Sequence, residues 1–225
     1  MAPNKIADLS ALTDELAAVG ASMHILVDNP DQVKVIEAWE STKANHRKWS
    51  VFMKVDCGNQ YVLPHIPATL IFMRHRRAGL RPDTAEFNAL LQAVLASSSI
   101  SLYGFYTHAG NSYASTSFEE ASNFLLSEVN AVNNAAGLAL QMMASKNIPP
   151  PREPFVLSVG ATPTAHAATP EMKAKIESAL HGVLELHAGS SRNFRRSVCP
   201  ILTQAIRKLP SSGPPAAQHW SHHPP

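Results

Sequence analysis

Apolar positions along this chain alternate between two rhythms. Ile6, Leu9, Leu12 and Leu16 recur three or four apart and predict a helix. Met23–Val27 (MHILV) is instead a short continuous apolar run, closed by Asp28-Asn29-Pro30, and predicts a strand followed by a helix start. Val33–Ala44, with Val35 and Trp39 four apart, supplies that helix, and Ser50–Cys57 (SVFMKVDC) the next strand, ended by Gly58. The clearest element follows: behind a cap at Asp83 or Thr84, the residues Phe87, Leu90, Leu91, Val94 and Leu95 fall on one helical face, which must be buried. A strand then starts near Ser101. Ser117-x-x-Glu120 reads as a capping box opening a long helix to about Met143, and Pro149-Pro150-Pro151 forbids its continuation. Phe155–Val159 predicts a strand, Pro170–Leu180 a helix and Val183–His187 a last strand.

Five apolar strands separated by helices predict a parallel sheet covered by helices. A doubly wound open sheet and an α/β barrel both fit this pattern, and both bind ligands at the carboxyl ends of their strands. Three of those ends carry chemistry. Ser101–Tyr113 (SLYGFYTHAGNSY), Ser158–Thr164 (SVGATPT) and Leu184–Gly189 (LELHAG) each run from strand into small, polar and glycine residues. An end reading Gly-Ala-Thr offers backbone N–H groups and a hydroxyl, which suit a phosphate, although Gly-x-Thr-Pro is also ordinary turn chemistry. An end reading Thr-His-Ala-Gly presents an imidazole at the same rim, which taken alone reads as a hydrogen-bonded strand-end histidine.

Composition narrows the setting more than the function. The 225 residues, 45% hydrophobic, suffice for one buried core or for part of a larger domain. A net charge of +2 with no basic stripe gives no reason to expect a nucleic-acid or membrane partner. Cys57 and Cys199 make no disulfide framework, and the start has no signal-peptide core, so a reducing, cytoplasmic location is expected. His219, His222 and His223 lack a framework that would fix metal geometry.

The motifs together resemble the D-serine dehydratases, relatives of D-threonine aldolase and of the alanine racemase N-terminal domain. Asp56-Cys57-Gly58 and Arg77-Ala78-Gly79 resemble one family motif, Gly104–Tyr113 a second, and Gly160-Ala161-Thr162 with His187-Ala188-Gly189 a third. The resemblance implies an α/β fold, a partial (β/α)8 barrel of the alanine racemase N-terminal type with about five of eight strands. It implies pyridoxal phosphate as cofactor, with Arg77, His108 and Tyr113 around the ring and Gly160, Ala161, Thr162 and Gly189 around the phosphate. It also implies a small D-amino acid substrate, D-serine converted to pyruvate and ammonia with zinc as Lewis acid, and a homodimer for the intact enzyme. A D-threonine aldolase-like enzyme and a non-catalytic degenerate fragment are the alternatives.

The sequence departs from the family pattern in four places. Tyr61–Arg76 interrupts a motif that the family runs through directly, and reads either as a translated intron or as a genuine apolar loop. The family's Asn-Tyr after His-Ala-Gly is replaced by Ser190-Ser191. The barrel domain is therefore expected over residues 1–189, with 61–76 an insert and 190–225 a Pro-, Ser- and His-rich tail that is disordered or read out of frame. The strand carrying the Schiff-base lysine and the domain carrying a His-x-Cys zinc pair have no counterpart here; Lys54 lies on a different strand from that lysine. Catalysis by this chain alone is not expected. Sequencing transcripts across the locus should give a main form lacking Tyr61–Arg76; a main form retaining it would establish the loop.

Overall fold

The protein is described by a computed structural model over residues 2–58, 79–170, 176 and 180–187. The insert at 61–76, Arg77, Gly189, the tail from 190 and most of the Pro170–Leu180 helix lie outside the described residues. By its internal contacts the chain divides into units 1–191 and 192–225, the second wholly outside them.

Strands β1 (His24–Val27), β2 (Trp49–Lys54), β3 (Ile100–Tyr106), β4 (Phe155–Val159) and β5 (Gly182–Leu186) form one sheet. Every neighbouring pair is parallel and the strand order is the chain order. This decides between the two architectures left open by the pattern. Parallel crossovers are right-handed, so a sheet that always adds its next strand on the same side places every crossover helix on one face. A doubly wound sheet would reverse direction at a switch point, and this one does not. The sheet is a segment of an α/β barrel.

Between the strands run α1 (Ile6–Ala18, preceding β1), α2 (Pro30–Glu40), α3 (Ala85–Ala96) and α4 (Phe118–Ser145). Their starts are set locally. Asn29 Oδ1 accepts the Asp31 N–H at 2.8 Å while Gln32 Oε1 accepts from Asn29 and Asp28. Thr84 caps α3 through the Phe87 N–H, and Ser117 caps α4 through the Glu120 N–H. The other half of the expected box differs: Glu120 Oε2 accepts from the Thr116 N–H, one residue before the cap. The core lies between helices and sheet, where Phe87, Leu90, Leu91, Leu125 and Val129 meet Met53, Phe105, Phe155 and Leu157.

A bulge interrupts β3. Val51 pairs with Leu102 but Phe52 pairs with Gly104, which leaves Tyr103 without a partner on β2. The extra residue changes the phase of the strand. Phe105 turns under the helices, against Phe87 and Phe155, while Tyr103 and Tyr106 both share the opposite face with Phe52. Only glycine fits beside the bulge, because a Cβ on Gly104 would lie 1.9 Å from the Val156 carbonyl oxygen.

A buried carboxylate ties the amino-terminal side together. Glu40, at the end of α2, is fully buried and accepts from the Trp49 indole N–H at 2.8 Å and the Arg47 N–H at 3.0 Å. Arg47 then reaches Asp14 and the Ser10 carbonyl and hydroxyl on α1. Burial alone would raise the Glu40 pKa; the two N–H donors and the Lys43 and Arg47 charges outweigh it and hold the carboxyl below its ordinary value.

Three outcomes are expected. Glu40→Ala leaves the buried Trp49 indole N–H and the Arg47 backbone N–H without their acceptor and lowers stability by about 3 kcal/mol in denaturant titration. The charge of Glu40 stabilises the fold above the unfolded carboxyl's pKa of about 4.3, and that contribution disappears as pH falls through the lower folded value, so Glu40→Gln should flatten the acid limb of Tm against pH. Gly104→Ala should cost more than about 3 kcal/mol by the same titration, since the clash is with backbone.

Candidate active site

The carboxyl ends of β2, β3 and β4 converge at one rim. After Lys54 the chain continues in register for one residue: Val55 N–H donates to the Tyr106 carbonyl at 2.8 Å, and Asp56 N–H to the Leu80 carbonyl at 3.0 Å. Beyond β3, Thr107 N–H bonds to the Ser158 carbonyl, and the chain then turns through a 3-10 segment, Gly110–Ala114. Between these ends lies a cleft of about 260 Å³ whose walls include Lys54, Asp56, Cys57, Thr107, His108 and Gly110. Lys54, assigned no role from sequence, thus stands in the same wall as His108.

His108 Nδ1 lies 2.8 Å from the Gly160 carbonyl oxygen. A carbonyl can only accept, so Nδ1 carries the proton and Nε2 keeps a lone pair in the neutral ring. Tyr113 is 58% exposed with its ring centre 6.1 Å from that of His108. Gly160 holds φ +131°, where an added Cβ would sit 2.4 Å from the His187 carbonyl oxygen. Ala161 is buried, and its N–H donates to Thr164 Oγ1 at 2.7 Å. That bond starts a short helix, α5 (Thr162–His166), where the sequence suggested only a turn. Thr162 opens this helix and is half-buried.

Behind the rim stands a residue that sequence reasoning passed over. Glu128, midway along α4, is fully buried, and its Oε1 accepts the Ala109 N–H at 2.5 Å. Burial pushes its carboxyl up to about 7, against the lowering effect of the Ala109 and Gly160 N–H groups and of Thr164. The signal was present, since Ala121, Leu125, Glu128 and Val132 fall on one helical stripe and only the glutamate is polar.

At the β5 end, His187 stacks on Tyr106 with ring centres 4.6 Å apart and lies 5.9 Å from His108. Ser158 Oγ donates to Glu185 Oε1 at 2.7 Å and meets His187 Nδ1 at 3.1 Å. The hydroxyl's single proton is given to Glu185, so His187 Nδ1 is the donor in the second contact. Burial, then the nearby His108 charge, push the His187 pKa down to about 4, with Glu185 opposing, so the ring is neutral at pH 7.

The sequence-derived residues therefore separate into groups. His108, Tyr113, Gly160, Ala161 and Thr162 come together across the β3 and β4 ends, whereas Arg77 and Gly189 lie outside the described residues. Among the described residues no three His, Cys, Asp or Glu side chains gather as a metal site, and no helix is long and apolar enough to cross a membrane.

No family model matches the chain. It is 36% identical over 195 residues to the D-serine dehydratase of Schizosaccharomyces pombe, covering 85% of this chain and 41% of that protein. Against the D-serine dehydratase of Saccharomyces cerevisiae it is 35% identical over 178 residues, 75% of this chain and 36% of that one. The chain thus spans about two-fifths of the length of the curated relatives it matches. Among solved structures, D-threo-3-hydroxyaspartate dehydratase from a Delftia species superposes with a TM-score of 0.56 at 25% identity, over 84% of this chain and 40% of that one. An alanine racemase-like protein of Idiomarina loihiensis gives 0.56 at 24%, over 84% and 39%, which speaks for the fold alone. Over most of its own length the chain is similar to the D-serine dehydratases, and it folds as part of an alanine racemase-like barrel.

Proposed function

We propose that this chain forms part of the pyridoxal phosphate barrel of a D-serine dehydratase. His108 and Tyr113 face the cofactor ring with Arg77 beside them, and the Gly160–Thr162 turn with Gly189 receives the phosphate. One observation carries the reading: the bond from His108 Nδ1 to the Gly160 carbonyl joins the imidazole of one strand end to the glycine turn of the next. The residues suit such a group. Gly160 lets the turn lie against the His187 carbonyl, where a Cβ would clash, and the cleft beside His108 is open. Similarity to two fungal D-serine dehydratases supports the substrate.

Each residue has a distinct task in this reading. His108, its Nδ1 proton committed to Gly160, presents Nε2 as an acceptor, and Tyr113 covers the ring from the solvent side. Ala161 shapes the turn through its N–H bond to Thr164, so the Thr162 N–H and hydroxyl are the phosphate donors. When bound, pyridoxal phosphate supplies the electron sink that lets an α-proton leave, and zinc would assist departure of the β-hydroxyl of D-serine, giving pyruvate and ammonia. The Schiff-base lysine and zinc ligands belong, in this reading, to parts of the enzyme beyond the described residues.

The product of the full-length transcript should release pyruvate from D-serine with pyridoxal phosphate and zinc; a folded product inert toward D-serine but active on another β-hydroxy D-amino acid would overturn the substrate. In the present chain, Gly160→Ala and His108→Ala should each weaken pyridoxal phosphate binding at least about tenfold in fluorescence titration. Unchanged affinity in both variants would remove these residues from the site.

A further inference from the structure

Glu128 is expensive where it stands. It is fully buried on the α4 stripe that packs Leu125, Val129 and Val132 against the sheet, a setting in which an apolar side chain would pack without losing hydration. Its Oε1 accepts the N–H of Ala109, itself fully buried and out of reach of water, and the Gly160 N–H and Thr164 act on the same carboxyl. Among the described residues its Oε2 has no hydrogen-bond partner. Ala109 directly follows His108, whose Nδ1 is bonded across to Gly160. The chain from Gly160 returns through Ala161 and Thr164, which close their own bond at 2.7 Å. The β3 end is thus held twice, from behind by α4 and from the side by the β4 turn.

We propose that Glu128 is a positioning residue: by holding the Ala109 N–H it fixes the His108 imidazole against the Gly160 turn, so that the ring-facing and phosphate-facing parts of the site keep one geometry. This rests on the cofactor reading above only for its consequence, not for the clamp itself. A purely apolar replacement leaves the Ala109 N–H buried and unpaired, which the loop relieves by moving and taking His108 with it. A glutamine retains a carbonyl oxygen as acceptor and should retain the clamp.

The test uses the full 225-residue chain labelled with nitrogen-15. In the wild type the Ala109 amide should exchange at least about a hundredfold more slowly than an open loop amide, and His108 should show the Nδ1-protonated tautomer. Glu128→Gln should preserve both, whereas Glu128→Leu should lose the single tautomer and bind pyridoxal phosphate at least about tenfold more weakly, with unchanged helix content by circular dichroism. A folded Leu variant keeping tautomer and affinity would overturn the proposal. So would fast Ala109 exchange in the wild type or loss of the tautomer in the Gln variant, and these two results decide the matter even when the Leu variant does not fold. Wild-type chain that shows the clamp but does not bind pyridoxal phosphate would overturn the cofactor reading and leave Glu128 its positioning role.

Discussion

The ladder of parallel hydrogen bonds, added strand by strand in chain order, is the constraint on which the rest of this structure depends. Once each new strand joins on the same side, right-handed crossovers put the helices on one face and bring every carboxyl end to one rim. Apolar strand residues such as Met53, Phe105, Phe155 and Leu157 then go under the helices. The opposite face takes what remains: His24 stacked on Tyr103 at 3.8 Å, Phe52, Tyr106 and Ser158. Close strand contact sets a second requirement, met by glycine. A Cβ on Gly182 would lie 2.3 Å from the Phe155 carbonyl oxygen, much as one on Gly104 would strike Val156.

At the rim, burial governs electrostatics more than pairing does. Desolvation raises the Glu128 pKa and lowers that of His187, two opposite directions with one cause, since low-dielectric surroundings disfavour charge of either sign. Tyr106, stacked on His187, is raised by burial too, with the Glu128 and Tyr113 charges adding to it. Near neutrality, therefore, His187 is uncharged and Glu128 is only partly ionised. Contrast this with the Glu40 cluster on the other side of the domain, where N–H donors and two cations overcome burial and keep a carboxylate ionised. The same residue type serves as a charged tie in one place and as a partly protonated acceptor in the other.

Much of the fold was legible in the sequence because its signals are local. The Phe87–Leu95 face, the Thr84 and Ser117 caps and the apolar run of β4 all appear where periodicity and capping place them, since each needs only neighbours within a turn or two. What could not be read involves partners distant in sequence. The bulge at Tyr103 exists through register with β2, the role of Glu128 through a loop 19 residues earlier, and the place of Lys54 in the cleft through the neighbouring β3 end. Helix α5 escaped for a different reason: five residues with Pro163 look like a turn until the Thr164 hydroxyl closes on Ala161. The site residues on β3 and β4 emerged from motif wording, and the structure adds the bond between His108 and Gly160 that no wording contains.

The bulge in β3 divides that strand into two halves with opposite phase. Below it, alternation is tied to β2 through Ile100, Ser101 and Leu102; above it, a fresh alternation through Phe105 and Tyr106 leads to the rim. Such an interruption works as an insulator. Substitutions in the lower half, which line the floor of the sheet, need not shift the phase of the upper half that presents His108. The interior of the sheet and the chemistry at its edge can accordingly diverge along the same strand at different rates, one answering to packing and the other to ligand.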